Sequence, residues 1–338
     1  MAKLNIGIIG GGMVSEAHFQ AFTRMPEARI TGLADPNLDA AMGIAGRYGV
    51  DRVVANYREL LEDSSLDLVV ICTPHFLHRP IALDAFAAGK HVICEKPIAM
   101  NLAEADEMIA AAQAANKELF IALNHRFLPA NRKAKKALEA GRIGRPFLCA
   151  AQFIGNELDR MNDPVNWKCT PERAGGGVLI DSGTHMVDML NLFFGEVESL
   201  TAAGGRLACT AENKAEDTAI LSLNFKSGVM ANLTLSFAVR HNLWFTSGIG
   251  CNFRFDIYGT EGSIHVSNQP GDPLIIVRDD HVERVKVWDQ VVDEDEHFVH
   301  CLLEDVKPRV TALDARKAME VVMAAYESIR GEGKRIYL

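Results

Sequence analysis

The sequence has no run of about 18 apolar residues, so no membrane-spanning helix is expected. It has no CxxC pair. Its seven cysteines, Cys72, Cys94, Cys149, Cys169, Cys209, Cys251 and Cys301, are scattered and odd in number. That pattern argues against both a zinc site and a disulfide framework, and fits buried thiols in a reducing cytoplasm. Positive charge is in short supply: 35 Lys and Arg against 44 Asp and Glu leave a net charge of −9. An acidic chain is a poor partner for nucleic acid or an anionic membrane. The N-terminal MAKLNIGIIGGGM lacks the long apolar region and cleavage site of a signal peptide. Repeats and low-complexity linkers are also missing. These absences lead to the expectation of a soluble, cytoplasmic globular protein.

What is present is length and apolar content. The chain has 338 residues, 48% of them hydrophobic, enough for two cores. Its first third alternates short apolar runs with helical patterns: strands at 4–9, 29–34, 67–72, 91–94 and 119–123, and helices at 13–24, 38–48, 77–88 and 102–116. Runs such as LVVIC suit strands buried on both faces of a parallel sheet. The alternation predicts an α/β, doubly wound Rossmann domain over residues 1–124. Beyond it the rhythm changes. Helices are expected at 129–140, 178–194, about 294–305 and 313–330. Strands follow one another at 200–206, 218–225, 229–237, 251–258, 263–266, 274–277 and 282–287. Residues 125–338 therefore read as a C-terminal α+β domain with a large, mostly antiparallel sheet.

The first strand runs into GIIGGGMVSEAH, which contains Gly10-Gly11-Gly12-Met13-Val14-Ser15 in a G-x-G-x-x-S pattern. Gly10 permits a tight turn and Gly12 lets the backbone approach a pyrophosphate. Met13 and Val14 lead into a helix whose N-terminal dipole favours the anion. Such a turn is informative because it follows a strand, opens a helix and starts the protein. The second strand ends at Asp35, 25 positions past Gly10. A carboxylate there accepts hydrogen bonds from ribose hydroxyls and repels a 2′-phosphate, which favours NAD over NADP. As a purely structural residue, Asp35 would simply open the turn ADPN.

Ligands of open α/β sheets sit at the carboxyl ends of strands. Those ends carry Thr73-Pro74-His75-Phe76-Leu77-His78, Glu95-Lys96-Pro97 and Asn124-His125-Arg126-Phe127. Lys96 has the chemistry to donate a proton or hydrogen bond to a carbinol oxygen, with Glu95 to hold its ammonium. Pro97 would fix the backbone. The plain alternative is a Lys-Pro helix start. In the second half, GGGVLIDSGTHMVDMLNL places Asp181 and His185 four apart, and Asp188 three further, on one helical face. A carboxylate one turn from an imidazole can orient it and tune it toward neutrality.

Taken in order, GIIGGGMVSEAH, ADP, TPHFLH, AGKHVICEKPIA, the RF after the strand at 119–123, GGGVLIDSGTHMVD and YGTEGSI resemble the Gfo/Idh/MocA oxidoreductases, the group of glucose–fructose oxidoreductase and the inositol dehydrogenases. The resemblance spans Ile6 to the final helix. It implies a catalytic Lys96 with a cis bond to Pro97, His185 as acid/base at the reacting hydroxyl, and Asp181 positioning both sugar and imidazole. It also implies a homodimer or homotetramer built through the large sheet. The chain departs from the family at His75, where Asn is common, and at Asn124–Phe127, where Tyr-Asn-Arg-Arg or similar is common.

The expected activity is NAD-dependent transfer of hydride from a secondary alcohol of a sugar, inositol or related polyol, with no metal. The residues expected around the cofactor are Gly10, Gly12, Met13, Val14, Asp35, Thr73, Pro74, His75, His78, Glu95, Lys96 and Arg126. Those expected around the substrate are Lys96, Arg126, Asn156, Trp167, Lys168, Asp181, His185, Arg240 and His241. Two rivals keep the same fold. One is a glycoside hydrolase that oxidises its sugar transiently with trapped NAD. The other is a non-catalytic sensor of NAD or sugar.

Overall fold

The computed structural model describes residues 3–210, 214–240, 251–268, 271–287 and 294–338. The chain divides into two compact units. One contains residues up to Leu123 together with the stretch ending at Arg316. The other contains residues from Asn124 onward and from Lys317 to Leu338. Among the described residues, no helix is long and apolar enough to cross a membrane.

The first unit runs β1 (Leu4–Ile9), α1 (Ser15–Thr23), β2 (Ala28–Ala34), α2 (Leu38–Tyr48), β3 (Val53–Val54), α3 (Tyr57–Leu61), β4 (Leu68–Ile71), α4 (His78–Ala87), β5 (His91–Glu95), α5 (Leu102–Ala114) and β6 (Leu119–Ala122). The sheet order is β3-β2-β1-β4-β5-β6, parallel throughout. This is the doubly wound arrangement, whose strand order reverses between β1 and β4. All four residues of β4 are fully buried, as an all-apolar strand covered on both faces requires. Asn37 and Asn101 cap α2 and α5 through their side-chain oxygens. Gly89 takes a φ of +73° just after α4, the C-terminal glycine expected there.

The second unit runs α6 (Pro129–Glu139), β7 (Pro146–Gly155), α7 (Leu158–Met161), α8 (Pro171–Ala174), α9 (Val178–Phe194), β8 (Val197–Gly205), β9 (Thr218–Phe225), β10 (Met230–Ser236), β11 (Cys251–Gly259), β12 (Gly262–Ser267), β13 (Leu274–Arg278) and β14 (His281–Arg284). The chain then forms α10 (Glu294–Glu304), α11 (Ala312–Arg330) and β15 (Ile336–Tyr337). The nine-stranded sheet has the order β14-β13-β12-β11-β7-β10-β9-β8-β15. Every pair is antiparallel except β10 with β7. Helix α9 packs on β7, β9 and β10, and α6 on β12 and β13. The opposite face carries Leu148, Ile220, Met230 and Tyr258, all exposed.

The short elements β3, α3, α7, α8 and β15 are not expected from the sequence, and two larger features also depart from that reading. The first is β7, a central strand of its sheet, at a place where no strand is expected. Its sequence PFLCAAQFIG is apolar on both faces and has no alternation to give it away. The second is the stretch 294–316, which groups with the first unit rather than with the sheet that precedes it. Phe298 of α10 is fully buried and stacks on Phe120 of β6 at 4.7 Å between ring centroids.

Candidate functional site

The turn after β1 is built around Gly10. Its φ is +101°, and a Cβ there would lie 2.6 Å from the Cys72 carbonyl oxygen, so only glycine fits. A Cβ on Gly12 would meet nothing within 4 Å, which leaves open space over the backbone. Ser15 is fully buried and its hydroxyl donates to the Gly12 carbonyl at 2.6 Å, so the small third residue of the motif is satisfied internally. No side chain caps α1, and Met13 and Val14 stand exposed at its start. Asp35 accepts Gly11 N–H at 2.7 Å on one oxygen and Asn37 N–H at 2.8 Å on the other. It therefore shapes the turn and still has lone pairs left for a ribose. At the end of β4, the Thr73 hydroxyl is buried without a hydrogen-bond partner. An open glycine turn, an uncapped helix start, a carboxylate with spare lone pairs and an orphaned hydroxyl fit a dinucleotide.

Lys96 leaves β5 through a cis bond to Pro97. His78 fixes this corner: its ring nitrogens lie 2.8 Å from the Pro97 carbonyl and 3.0 Å from that of Thr73. Burial lowers the His78 pKa against the pull of those carbonyls. Glu95 is assigned on sequence to hold the Lys96 ammonium. Its oxygens lie 3.2 Å from His18 Nε2 and 3.2 Å from the Lys96 backbone N–H, which donates to it, and the Lys96 charge helps keep its pKa down. His75 is buried and its ring lies 5.6 Å from that of His78.

In the second unit the glycine run before α9 serves close packing. Glu216 accepts the N–H groups of Gly177 and Leu179 at 2.8 and 3.0 Å and the Tyr326 hydroxyl at 2.8 Å. Side chains on Gly176 and Gly177 would strike Tyr326 and the Glu216 backbone. The start of α9 is thus anchored by a partly buried carboxylate 39 positions further along the chain. Burial raises the pKa of both Glu216 and Tyr326.

Helix α9 is buried on every side from Val178 to Leu190, yet it carries Asp181, His185 and Asp188. Each has a distinct neighbour. Asp188 binds Arg126 in a two-point ion pair, at 2.8 and 2.6 Å, with both residues buried. Asp181 accepts the Lys168 ammonium at 2.6 Å. The His185 ring stacks on that of His125, with centroids 4.5 Å apart. His125 also packs against Phe253 at 4.6 Å.

Of the further residues singled out on sequence, Lys168 joins Asp181, with its ammonium 5.8 Å from the Trp167 ring centroid. Arg126 has a structural partner in Asp188 that its assignment to cofactor and substrate did not foresee. Asn156 forms an isolated bridge with Ala238. Arg240 is exposed and 3.9 Å from Asp159, itself exposed. His241 lies outside the described residues. Sequence reasoning missed His125, although it stands in the quoted segment NHRF. It also missed His18, the last residue of the quoted GIIGGGMVSEAH. Neither carries a local signal, because its partner is supplied by another element.

Residues 4–123 match the family described as Oxidoreductase family, NAD-binding Rossmann fold, and residues 131–265 match the GFO/IDH/MocA C-terminal domain. Levoglucosan dehydrogenase of Pseudarthrobacter phenanthrenivorans is 30% identical over 81% of this chain and 76% of its own length. Myo-inositol 2-dehydrogenase of Thermotoga maritima is 28% identical over 96% of each chain. The structure of a levoglucosan dehydrogenase in complex with NADH and levoglucosan has a TM-score of 0.89 at 25% identity and covers 99% of both chains. Both halves of the sequence match one family in order, so the chain belongs to the GFO/IDH/MocA oxidoreductases and its first unit is an NAD-binding Rossmann domain.

Proposed function

We propose that this dehydrogenase oxidises a secondary alcohol of a cyclic sugar, an inositol or a related polyol with NAD, using Lys96, Asp181 and His185. The observation that carries the reading is the burial of three ionisable side chains on one helix, α9. Burying such groups is costly unless they are paired or used. Asp188 is neutralised by Arg126 and holds the fold together. Asp181 meets a cation that keeps contact with solvent, and His185 meets a second imidazole ring, and these two are assigned to chemistry. The named relatives act on levoglucosan and myo-inositol, which agrees with a polyhydroxylated ring.

His185 accepts the proton of the reacting hydroxyl, and the His125 ring stacked on it fixes its plane. Asp181, with its charge balanced by Lys168, accepts a hydrogen bond from a neighbouring hydroxyl of the substrate. Lys96 donates to the carbinol oxygen and stabilises the negative charge that develops there. Gly10, Gly12, Met13, Val14, Asp35, Thr73, Pro74, His75 and His78 form the binding side for NAD. Bound there, NAD would supply the hydride acceptor. Trp167 offers an aromatic face to the sugar ring. Asn156 and Arg240 complete the substrate list.

The test is the appearance of NADH absorbance with NAD or NADP and a panel of anhydro-sugars, inositols, hexoses, deoxy-sugars and sugar phosphates. Turnover on one class is expected with NAD. Lys96→Ala and His185→Asn should each lower kcat by about 10²–10⁴-fold in a folded protein. Undiminished turnover in Lys96→Ala would sink the assignment. Release of an aglycone without NADH would replace it with the hydrolase reading, and NAD or sugar binding without turnover with the sensor reading. The proposal includes a cytoplasmic homodimer or homotetramer. The exposed apolar residues on the open sheet face favour such an assembly, and light scattering on the purified protein checks it.

A further inference from the structure

His18 lies on α1, within the motif that opens the nucleotide-binding turn, yet the turn makes no use of its side chain. The ring is 2% exposed. Its Nδ1 is 2.7 Å from Asp295 Oδ2 on α10, and its Nε2 is 3.2 Å from Glu95 Oε1 on β5. The second oxygen of Glu95 accepts the backbone N–H of Lys96. An unbroken chain of contacts, Asp295 to His18 to Glu95 to the Lys96 peptide, therefore lies entirely within the first unit. A neutral imidazole has one N–H and can donate to only one of two carboxylates. The imidazolium donates to both.

We propose that His18 is a positioning residue, carried as an imidazolium and clamped between Asp295 and Glu95, which keeps the Glu95 carboxylate ionised and fixed behind Lys96. The groups facing it are Asp295 from α10, Glu95 from β5 and the Cys72 thiol at the end of β4. Lys96 lies next along the chain from Glu95. Burial lowers the His18 pKa, but the charge and hydrogen bond of the Asp295 carboxylate oppose this, and the pKa stands well above its ordinary value. Burial raises the Glu95 pKa, but the His18 hydrogen bond and charge, then Lys96, bring it below the usual carboxylate range. The directions agree with the geometry. The clamp gives a reason for the 294–316 stretch to return to the first unit: it delivers Asp295.

The inference rests on Lys96 acting in catalysis, so it needs one readout that is free of turnover and one that is not. The first is the imidazole signal of His18 in the full-length protein labelled with nitrogen-15 histidine, assigned by its loss in His18→Gln. The doubly protonated form is expected to persist through neutral pH, where an ordinary histidine has lost its second proton. In Asp295→Asn the midpoint should fall by at least one pH unit, a tenfold loss of proton affinity. A neutral ring near pH 7 in the parent protein, or an unmoved midpoint in Asp295→Asn, overturns the proposal.

The second readout is the pH profile of kcat/KM on the substrate found with the sugar and polyol panel. With Glu95 held ionised, its acid limb lies below the neutral range. In His18→Gln the cation between the two buried carboxylates is gone, and Glu95, left with Lys96 alone against its burial, takes up a proton at higher pH. The acid limb should then rise by at least one pH unit. A limb that stays where it was shows a merely structural histidine and overturns the proposal. The two readings fail separately. Turnover retained in Lys96→Ala removes the catalytic reading and leaves the imidazolium signal as it is. A neutral His18 removes the clamp and leaves the role of Lys96 standing.

Discussion

The turn after β1 and the polar face of α9 are built by opposite means. The turn is made of backbone: Gly10 in a left-handed conformation, Gly12 beneath open space, and Asp35 bracing Gly11. Most of its parts come from the opening strand–turn–helix–strand unit, and its specificity comes from what side chains would obstruct. The α9 cluster is made of side chains that find partners on other elements: Asp188 with Arg126, Asp181 with Lys168, His185 with His125. A backbone site tolerates change around it but not at its glycines. A side-chain cluster depends on each partner, and its members differ in how much they stabilise and how much they can do.

The sharpest break in this comparison comes from separating Asp188 from Asp181. Both are acids on α9 and both meet a cation. Asp188 and Arg126 are sealed, with side-chain exposures of 1% and 8%. Removing one partner of such a pair strands the other, at a cost of about 3–5 kcal/mol. Lys168 keeps 26% of its side chain exposed, so it can turn to water when Asp181 is lost. Asp188→Ala should therefore lower the denaturant midpoint steeply. Asp181→Asn should leave stability nearly intact while reducing turnover. Equal losses of stability would erase the distinction between the two acids.

Gly10→Ala tests the backbone site. The substitution combines a positive φ with a Cβ pressed on the Cys72 carbonyl. Strain of this kind costs about 1–3 kcal/mol. Because the displaced segment is the turn itself, NAD affinity should fall along with stability. Titration with NAD checks the first and thermal unfolding the second. Gly12→Ala meets no neighbour, so it should leave stability nearly unchanged and act on NAD binding alone.

Asp35→Asn sharpens the same site more gently. The amide oxygen can still brace one backbone N–H, while the charge that would repel a 2′-phosphate is gone. The ratio of kcat/KM for NAD over NADP should fall about tenfold, or ~1.4 kcal/mol. An unchanged ratio would leave Asp35 as the opening residue of the ADPN turn and nothing more.

The two sites also differ in how far the sequence reveals them. The Rossmann unit is legible because its rules are local: all-apolar strands, glycines at turns, asparagine caps, a strand rhythm. Lys96 is legible because the strand it terminates is. Asp181 and His185 follow from helical spacing. What escapes is whatever depends on distant pairing. Strand β7 hides because both of its faces are apolar, and it becomes central only through partners as remote as β10 and β11. Arg126 is read as a ligand contact because nothing nearby announces Asp188. His18 and Asp295 are separated by 277 positions, and no periodicity links them.

The smallest expected effect tests the same comparison from outside. Glu196 accepts two lysine ammonium groups, Lys226 and Lys317, each at 2.9 Å. Those cations bring its pKa down to about 2, so any stability from the cluster is present above the ordinary carboxylate value and lost as pH falls through the lower one. By count of contacts it rivals Arg126–Asp188. Yet all three side chains are more than half exposed, and solvent and salt screen them. Glu196→Gln should leave the melting temperature within error of the parent at physiological salt. A clear drop would mean that burial is not what separates the ion pairs of this protein, and the contrast between Asp188 and Asp181 would lose its physical basis as well.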